Sequence, residues 1–349
     1  MQVFKDYREI PDAFQGAAIA IGNFDGVHLG HRAVIGEAGR IARAQGLPWA
    51  VMSFEPHPRL YFKPDQPPFR ITPERAKTRA IADLGVDVMV VLPFDKALAT
   101  MEAETFVKDV LVGGLDVHHV VCGYDFHFGK GRKGNPAMLL DAGQRHGFDF
   151  TVVNEVDDAD GHKYSSTGIR EHLMAGDPRA AAEMLGRPFE IVGQVAHGDK
   201  RGRTIGFPTA NVVLGDHVEP AFGIYAVQLA VDDGDNGQND DSSPQWIDGV
   251  ANLGIRPMFE TSEPWLEVFL FDWSGDLYDQ WVRVRVLEGR GFGVRGRRAH
   301  GAERGHEGCK SHFCKSVAVA AVFRRYVHAE AVSSVPHHCN ILLYRKPRR

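Results

Sequence analysis

The chain has 349 residues, 44% of them apolar and 24% charged, with a net charge of −5. That length suits two domains with ample core, and the absence of any run of about 18 apolar residues excludes a membrane-spanning helix. Four cysteines in 349 residues do not suggest a disulfide framework, and no basic stretch followed by an apolar core opens the chain, so a cytoplasmic enzyme is expected.

In chain order, residues 17–23 form a short apolar run ending on Gly22-Asn23, the pattern of a buried strand closing on a loop. Val34, Ile35, Ala38, Ile41 and Ala42 recur at helical spacing over about 31–45. Further strands are expected at 49–54, 86–92, 117–122 and 148–153, alternating with helices at about 73–84, 102–112 and 136–146. Alternation of this kind predicts a Rossmann-like α/β domain built on a parallel sheet, with ligands beyond the carboxyl ends of its strands. After about Pro188 the texture changes to short runs at 189–196, 224–231, 246–253, 265–271 and 282–287, separated by Gly, Pro, Asn and Asp, which predicts an all-β barrel or sandwich. Residues 232–243 read as an acidic hairpin loop.

Two imidazoles, His28 and His31, flank Gly30 where the first strand gives way to a helix. A helix N-terminus offers unpaired N–H groups and a positive dipole end to phosphate, glycine permits close approach, and imidazoles can donate to a phosphoryl group as charge develops on it. The string Gly22-Asn23-Phe24-Asp25-Gly26-Val27-His28-Leu29-Gly30-His31 resembles the motif of the His-x-Gly-His nucleotidyltransferases. Phe54-Glu55-Pro56-His57-Pro58, Gly123-Tyr124-Asp125-Phe126-His127-Phe128-Gly129 and Ser165-Ser166-Thr167-Gly168-Ile169-Arg170 follow in the order found in prokaryotic bifunctional riboflavin kinase/FAD synthetases. The resemblance implies that His28 and His31 are catalytic. It also implies that Gly22, Asn23, Phe24, Gly30, Ser166, Thr167 and Arg170 hold ATP phosphates, that His57 and Asp125 line the flavin-phosphate side, and that the basic loop 129–134 lies near phosphates. Hydroxyls and a guanidinium suit phosphate oxygens, although Ser166 or Thr167 could equally cap a helix.

In the second half, Gly193 to Gly198 and Gly202-Arg203-Thr204-Ile205-Gly206-Phe207-Pro208-Thr209-Ala210-Asn211 resemble the riboflavin kinase signature. The resemblance implies that Gly198, Gly206 and Pro208 fold over ATP, and that Thr209 and Asn211 offer oxygens to Mg²⁺, a hard cation. Asn252-Leu253-Gly254-Ile255-Arg256-Pro257 continues the match, and Glu267 is implied as general base toward the ribityl 5′-hydroxyl. Asp279 stands where the family has Gly.

The match ends at about Glu288. Residues 289–349 carry 13 Lys/Arg against three Asp/Glu, a local +10 that leaves −15 for residues 1–288, together with three of the four cysteines and six of the 17 histidines. This composition is what a shifted reading frame in a GC-rich gene, or a disordered tail, would produce. Zinc binding by Cys309, His312, Cys314 and the His337-His338-Cys339 group, whose spacing matches no finger pattern, and RNA contact by the Arg-Gly stretch are rival readings of the tail, and nucleic acid is not an expected partner. The expected organisation is residues 1–186 for FMN adenylyltransferase, 187–288 for the riboflavin kinase barrel, and 289–349 as an atypical basic tail that weakens the kinase step. ATP, riboflavin and FMN are the expected partners, with Mg²⁺ as cofactor and FAD as product. The competing readings are an adenylyltransferase for another phosphate acceptor, such as nicotinamide mononucleotide or phosphopantetheine, and a non-catalytic flavin- or nucleotide-binding regulator.

Overall fold

The computed structural model describes residues 1–157, 161–197, 209–232, 244–255 and 264–291. Its first half is a six-stranded sheet in the order β1-β4-β3-β2-β5-β6, formed by β1 (Gln2–Phe4), β2 (Ala18–Ile21), β3 (Trp49–Glu55), β4 (Val88–Pro93), β5 (His119–Gly123) and β6 (Asp149–Val153), with every pair parallel. The first helices are α1 (Leu29–Gln45), α2 (Pro58–Phe62), α3 (Glu74–Ala82), α4 (Lys96–Thr100) and α5 (Ala103–Thr105). They are followed by α6 (Pro136–His146), α7 (Ser166–Ala175) and α8 (Pro178–Leu185).

The central strand β2 shows how the sheet positions the site. Its four residues are 0–1% exposed. Successive side chains face opposite layers: Ile19 and Ile21 join the cluster containing Phe54, Val107 and Leu139, while Ala18 and Ala20 meet Val34, Ile35 and Ala38 of α1. Small residues on that second face let α1 lie close, and full burial of each isoleucine on the first stabilises by about 1.5–3 kcal/mol. The start of α1 is therefore held directly above the end of β2.

The expected helix over 102–112 is only partly α-helical. Past α5 the chain winds as a π-helix over Phe106–Val112, with Gly113 N–H donating to Lys108 O at 2.8 Å.

The second half is a closed antiparallel barrel in the order β10-β11-β8-β7-β12-β9. Its strands are β7 (Phe189–Ala196), β8 (Thr209–Val213), β9 (Gly223–Val231), β10 (Ile247–Ile255), β11 (Pro264–Leu270) and β12 (Trp281–Gly291). Five of these match sequence expectations. β8 does not, because its residues Thr209 and Asn211 are read in the sequence as oxygen donors to Mg²⁺ and not as part of a strand. β12 also runs past Glu288 to Gly291. The barrel core holds Ile191, Val195, Leu229, Val268 and Val284, and the same cluster takes in Ile169 and Leu173 of α7 and Leu185 of α8. A bridge between Arg70 and His217, in which Arg70 N–H donates to Asp216 O at 3.0 Å and Val218 N–H to Arg70 O at 2.8 Å, further joins the two halves.

Candidate active site

The loop from β2 into α1 runs through left-handed backbone at Phe24 (φ 50°), Gly26 (φ 95°) and Val27 (φ 44°). A positive φ at a β-branched valine is strained, so the surroundings must hold it. Arg187 donates to Gly26 O (2.8 Å) and Val27 O (3.2 Å), and Gly26 N–H donates to Thr72 Oγ1 at 2.8 Å. The turn presents His28 as the N-cap of α1, its Nδ1 accepting from His31 N–H at 3.3 Å. In the neutral ring this leaves Nε2 as the protonated nitrogen. The His28 and His31 rings stack with centroids 3.6 Å apart, and Phe24 meets His31 edge-on at 5.4 Å. Gly30 lies beneath the stack, where a Cβ would stand 3.2 Å from the His28 ring and 3.3 Å from Tyr164 O. At Gly22 a Cβ would stand 2.9 Å from the Phe24 ring. Burial lowers the pKa of His28 to about 4, and burial together with the neighbouring His28 takes His31 well below the ordinary histidine range. Both rings are therefore neutral near pH 7 before any anion arrives.

The N-terminus of α7 converges on the same place. Ser165 is its N-cap, accepting from Gly168 N–H at 3.1 Å. That leaves Ser166 and Thr167 free of the capping role considered for them. Ser166 Oγ donates to Asp25 O at 2.8 Å, and Thr167 is exposed. Arg170 donates through Nε to Phe69 O at 2.7 Å and through Nη2 to Asp25 Oδ2 at 2.5 Å. His57 caps α2, taking Arg59 N–H at 3.1 Å, lies edge-on to Phe69 at 5.2 Å, and is held by burial at a pKa of about 4. Asp125 is exposed, and its carbonyl takes a hydrogen bond from His127 Nδ1.

One cleft of about 470 Å³ is lined by Gly22, Asn23, Phe24, His28, Gly30, His31, His57, Asp125, Ser166, Thr167 and Arg170. The structure thus brings together every residue assigned to this half, from four segments of the chain. The basic loop 129–134 is pinned rather than free: Phe128 and Gly134 form a bridge, Lys130 pairs with Glu102 at 3.1 Å, and Arg132 reaches the cleft.

Residue-type reasoning did not single out Asp25, which is 3% exposed and accepts from Ile71 N–H and Thr72 N–H, each at 3.0 Å. Lys77, fully buried behind the loop, was also missed.

On the barrel, Asn211 and Glu267 are direct cross-strand partners, and Asn252 pairs with Glu267 from the other side. Opposed residues share a sheet face, so these three side chains and Thr209, two residues from Asn211, lie on one face of the barrel wall. Their neighbours Ala210, Val212, Leu266 and Val268 belong to the barrel core. Asn211 is 3% exposed. Gly198, Gly206 and Pro208 lie outside the described residues, as do the cysteines and histidines of the tail. Among the described residues no cluster of three His, Cys, Asp or Glu could hold a metal, and no helix is long and apolar enough to cross a membrane.

A parallel sheet with two helix N-termini and a histidine pair closing on one cleft, fused to a closed antiparallel barrel, defines a two-part nucleotide-handling transferase. The FAD synthetase family model matches residues 10–168 and the riboflavin kinase model residues 185–290. The bifunctional riboflavin kinase/FMN adenylyltransferase of Escherichia coli (strain K12) is 42% identical over 270 residues, covering 77% of this chain and 83% of that protein. The enzyme of the same name from Bacillus subtilis (strain 168) is 40% identical over 274 residues, 77% and 82% of the two chains. A Streptococcus pneumoniae crystal structure described as a macrolide-efflux protein superposes with a TM-score of 0.73 at 28% identity, covering 92% of this chain and 98% of that one. The chain belongs to the bifunctional riboflavin kinase/FMN adenylyltransferase family.

Proposed function

We propose that residues 1–186 transfer AMP from ATP to the phosphate of FMN, and that residues 187–288 make that FMN from riboflavin and ATP. Convergence of the α1 and α7 N-termini with His28, His31 and Arg170 on one cleft carries the first half of this reading. In the adenylyl step an FMN phosphate oxygen attacks the α-phosphorus of ATP, the bond from that phosphorus to the bridging oxygen breaks, and pyrophosphate leaves. Little covalent chemistry falls to the protein, so positioning and charge stabilisation dominate. His28 and His31 donate to the reacting phosphates, with Asn23 beside them and the backbone at Gly22, Phe24 and Gly30 shaping the cradle. Ser166, Thr167 and the Nη1 side of Arg170 take the outer phosphates. His57 and Asp125 flank the FMN phosphate.

In the barrel, Glu267 accepts the proton of the ribityl 5′-hydroxyl as that oxygen bonds to the γ-phosphorus of ATP and ADP departs. Thr209 and Asn211 offer hydroxyl and amide oxygens from one strand face, a donor set that fits Mg²⁺, and Gly198, Gly206 and Pro208 are assigned to the nucleotide by the resemblance alone. The ion, when bound, neutralises charge on the phosphates. The cytoplasm, where ATP is held, is the compartment this chemistry requires.

The composition break after Glu288 supports one qualification: the atypical tail replaces a segment that braces the flavin site, so the kinase step is the weaker one. Chromatography of flavin products after feeding riboflavin or FMN with Mg-ATP tests both points. FAD from FMN with pyrophosphate release, lost in His28→Ala, is the expected result. Equal, robust turnover of both steps would refute the qualification. Absence of FAD from FMN would refute the main reading in favour of another acceptor or a binding role.

A further inference from the structure

Lys77, on α3, is 0% exposed. Its Nζ lies 2.7 Å from Glu55 Oε1, donates to Ser53 Oγ at 2.8 Å, and reaches Asn23 O at 3.4 Å. Ser53 Oγ donates to the same Asn23 carbonyl at 3.3 Å. Glu55 is shared with Arg70, whose Nη2 lies 2.6 Å from Oε1 and Nη1 3.0 Å from Oε2. With all three groups ionised, this buried triad carries a net +1. Removing such charges from water costs several kcal/mol per ion, and an apolar side chain of similar volume would fill the same space more cheaply. Its neighbours Ala76, Ala80 and Ile81 are buried and would accept one. Lys77 does not line the cleft, yet Asn23, whose carbonyl it holds, does. Its charge is close enough to help depress the proton affinity of His31.

We propose that Lys77 is a positioning residue for adenylyl transfer: it tethers the Asn23 carbonyl, so aiming the phosphate loop, and it fixes a positive charge behind the polyphosphate. This rests on the adenylyltransferase reading above. From there the path leads onward. Glu55 and Arg70 carry the tether to the bridge with His217, so the loop is braced against the barrel.

The test uses the full-length chain with Lys77→Met, which leaves Glu55 paired with Arg70, together with Lys77→Arg and Lys77→Gln, the last keeping a donor without the charge. Two readouts are taken: pyrophosphate release with ATP and FMN varied separately, and hydrogen exchange of the Gly22–Val27 amides. Lys77→Met should lower kcat by about 10- to 100-fold, the scale of losing one preorganised electrostatic contact, with the KM for FMN moved less than about twofold. The loop amides should exchange faster, Lys77→Arg should recover most of both, and Lys77→Gln should not recover kcat. Wild-type kcat in Lys77→Gln would show that the charge is not needed and overturn the proposal, as would wild-type kcat or unchanged loop exchange in Lys77→Met. Failure of the wild-type chain to release pyrophosphate would instead overturn the adenylyltransferase reading, while the exchange data still judge the tether.

Discussion

Asp25 and Arg170, 145 positions apart, meet through Oδ2 and Nη2 at 2.5 Å, with the carboxylate 3% exposed. The pair fastens the phosphate loop to the start of α7, and Asp25 also takes the backbone N–H groups of Ile71 and Thr72. Removing one partner of a buried ion pair leaves an uncompensated charge and unpaired donors. Asp25→Ala should therefore cost about 3–5 kcal/mol, read from the urea midpoint. A loss below about 1 kcal/mol would mean that the two segments are held by something else.

Gly30→Ala tests the geometry beneath the histidine stack. The new methyl meets the His28 ring and Tyr164 O at 3.2–3.3 Å, so the ring must yield by a few tenths of an ångström. Phosphoryl chemistry is sensitive to such shifts, and FAD formation from FMN should fall by about tenfold at unchanged thermal stability. Full activity would show that His28 has room to adapt.

Protons should accompany ATP. His28 titrates near 4 and His31 is held well below the ordinary histidine range because burial disfavours the imidazolium, so both are neutral in the free protein at pH 6. A polyphosphate brings negative charge, which favours the protonated ring and raises both pKa values. Binding at pH 5–6 should take up protons, and less so at pH 8. Calorimetry in buffers of different ionisation enthalpy measures the uptake directly, and zero uptake at pH 5.5 would contradict the assignment of either ring to the phosphates.

Glu267→Gln should remove FMN formation from riboflavin by about 10²–10⁴-fold, the usual weight of a general base, while leaving FMN-to-FAD conversion intact. An unaffected kinase step would return Glu267 to the role of an ordinary wall residue between Asn211 and Asn252.

Much of this was legible in the sequence because the loop signals are local. Gly22 to His31 sits at a strand end, and the period change after Pro188 announces the barrel. What escaped is long-range. Lys77 reads as one more polar residue on an amphipathic helix, and only the fold shows that it faces inward onto Ser53 and Glu55. Asp25 lies inside the quoted motif, yet its partners are 46 or more residues away. The choice of Ser165 over Ser166 as cap depends on one hydrogen bond, and both are capping residue types. β8 is hidden because Thr209 and Asn211 read as Mg²⁺ donors following a glycine-rich stretch, a pattern that masks the strand they begin.

Helix α7 answers to both halves at once: its first turn forms part of the adenylyl cleft, while Ile169 and Leu173 are packed into the barrel's cluster. A cut after Gly186 would leave the adenylyl half with a greasy stripe exposed to water and the barrel with an uncapped end. The two activities are thus mechanically married, and a lesion that loosens the barrel is passed, through one ten-residue rod, to the enzyme next door.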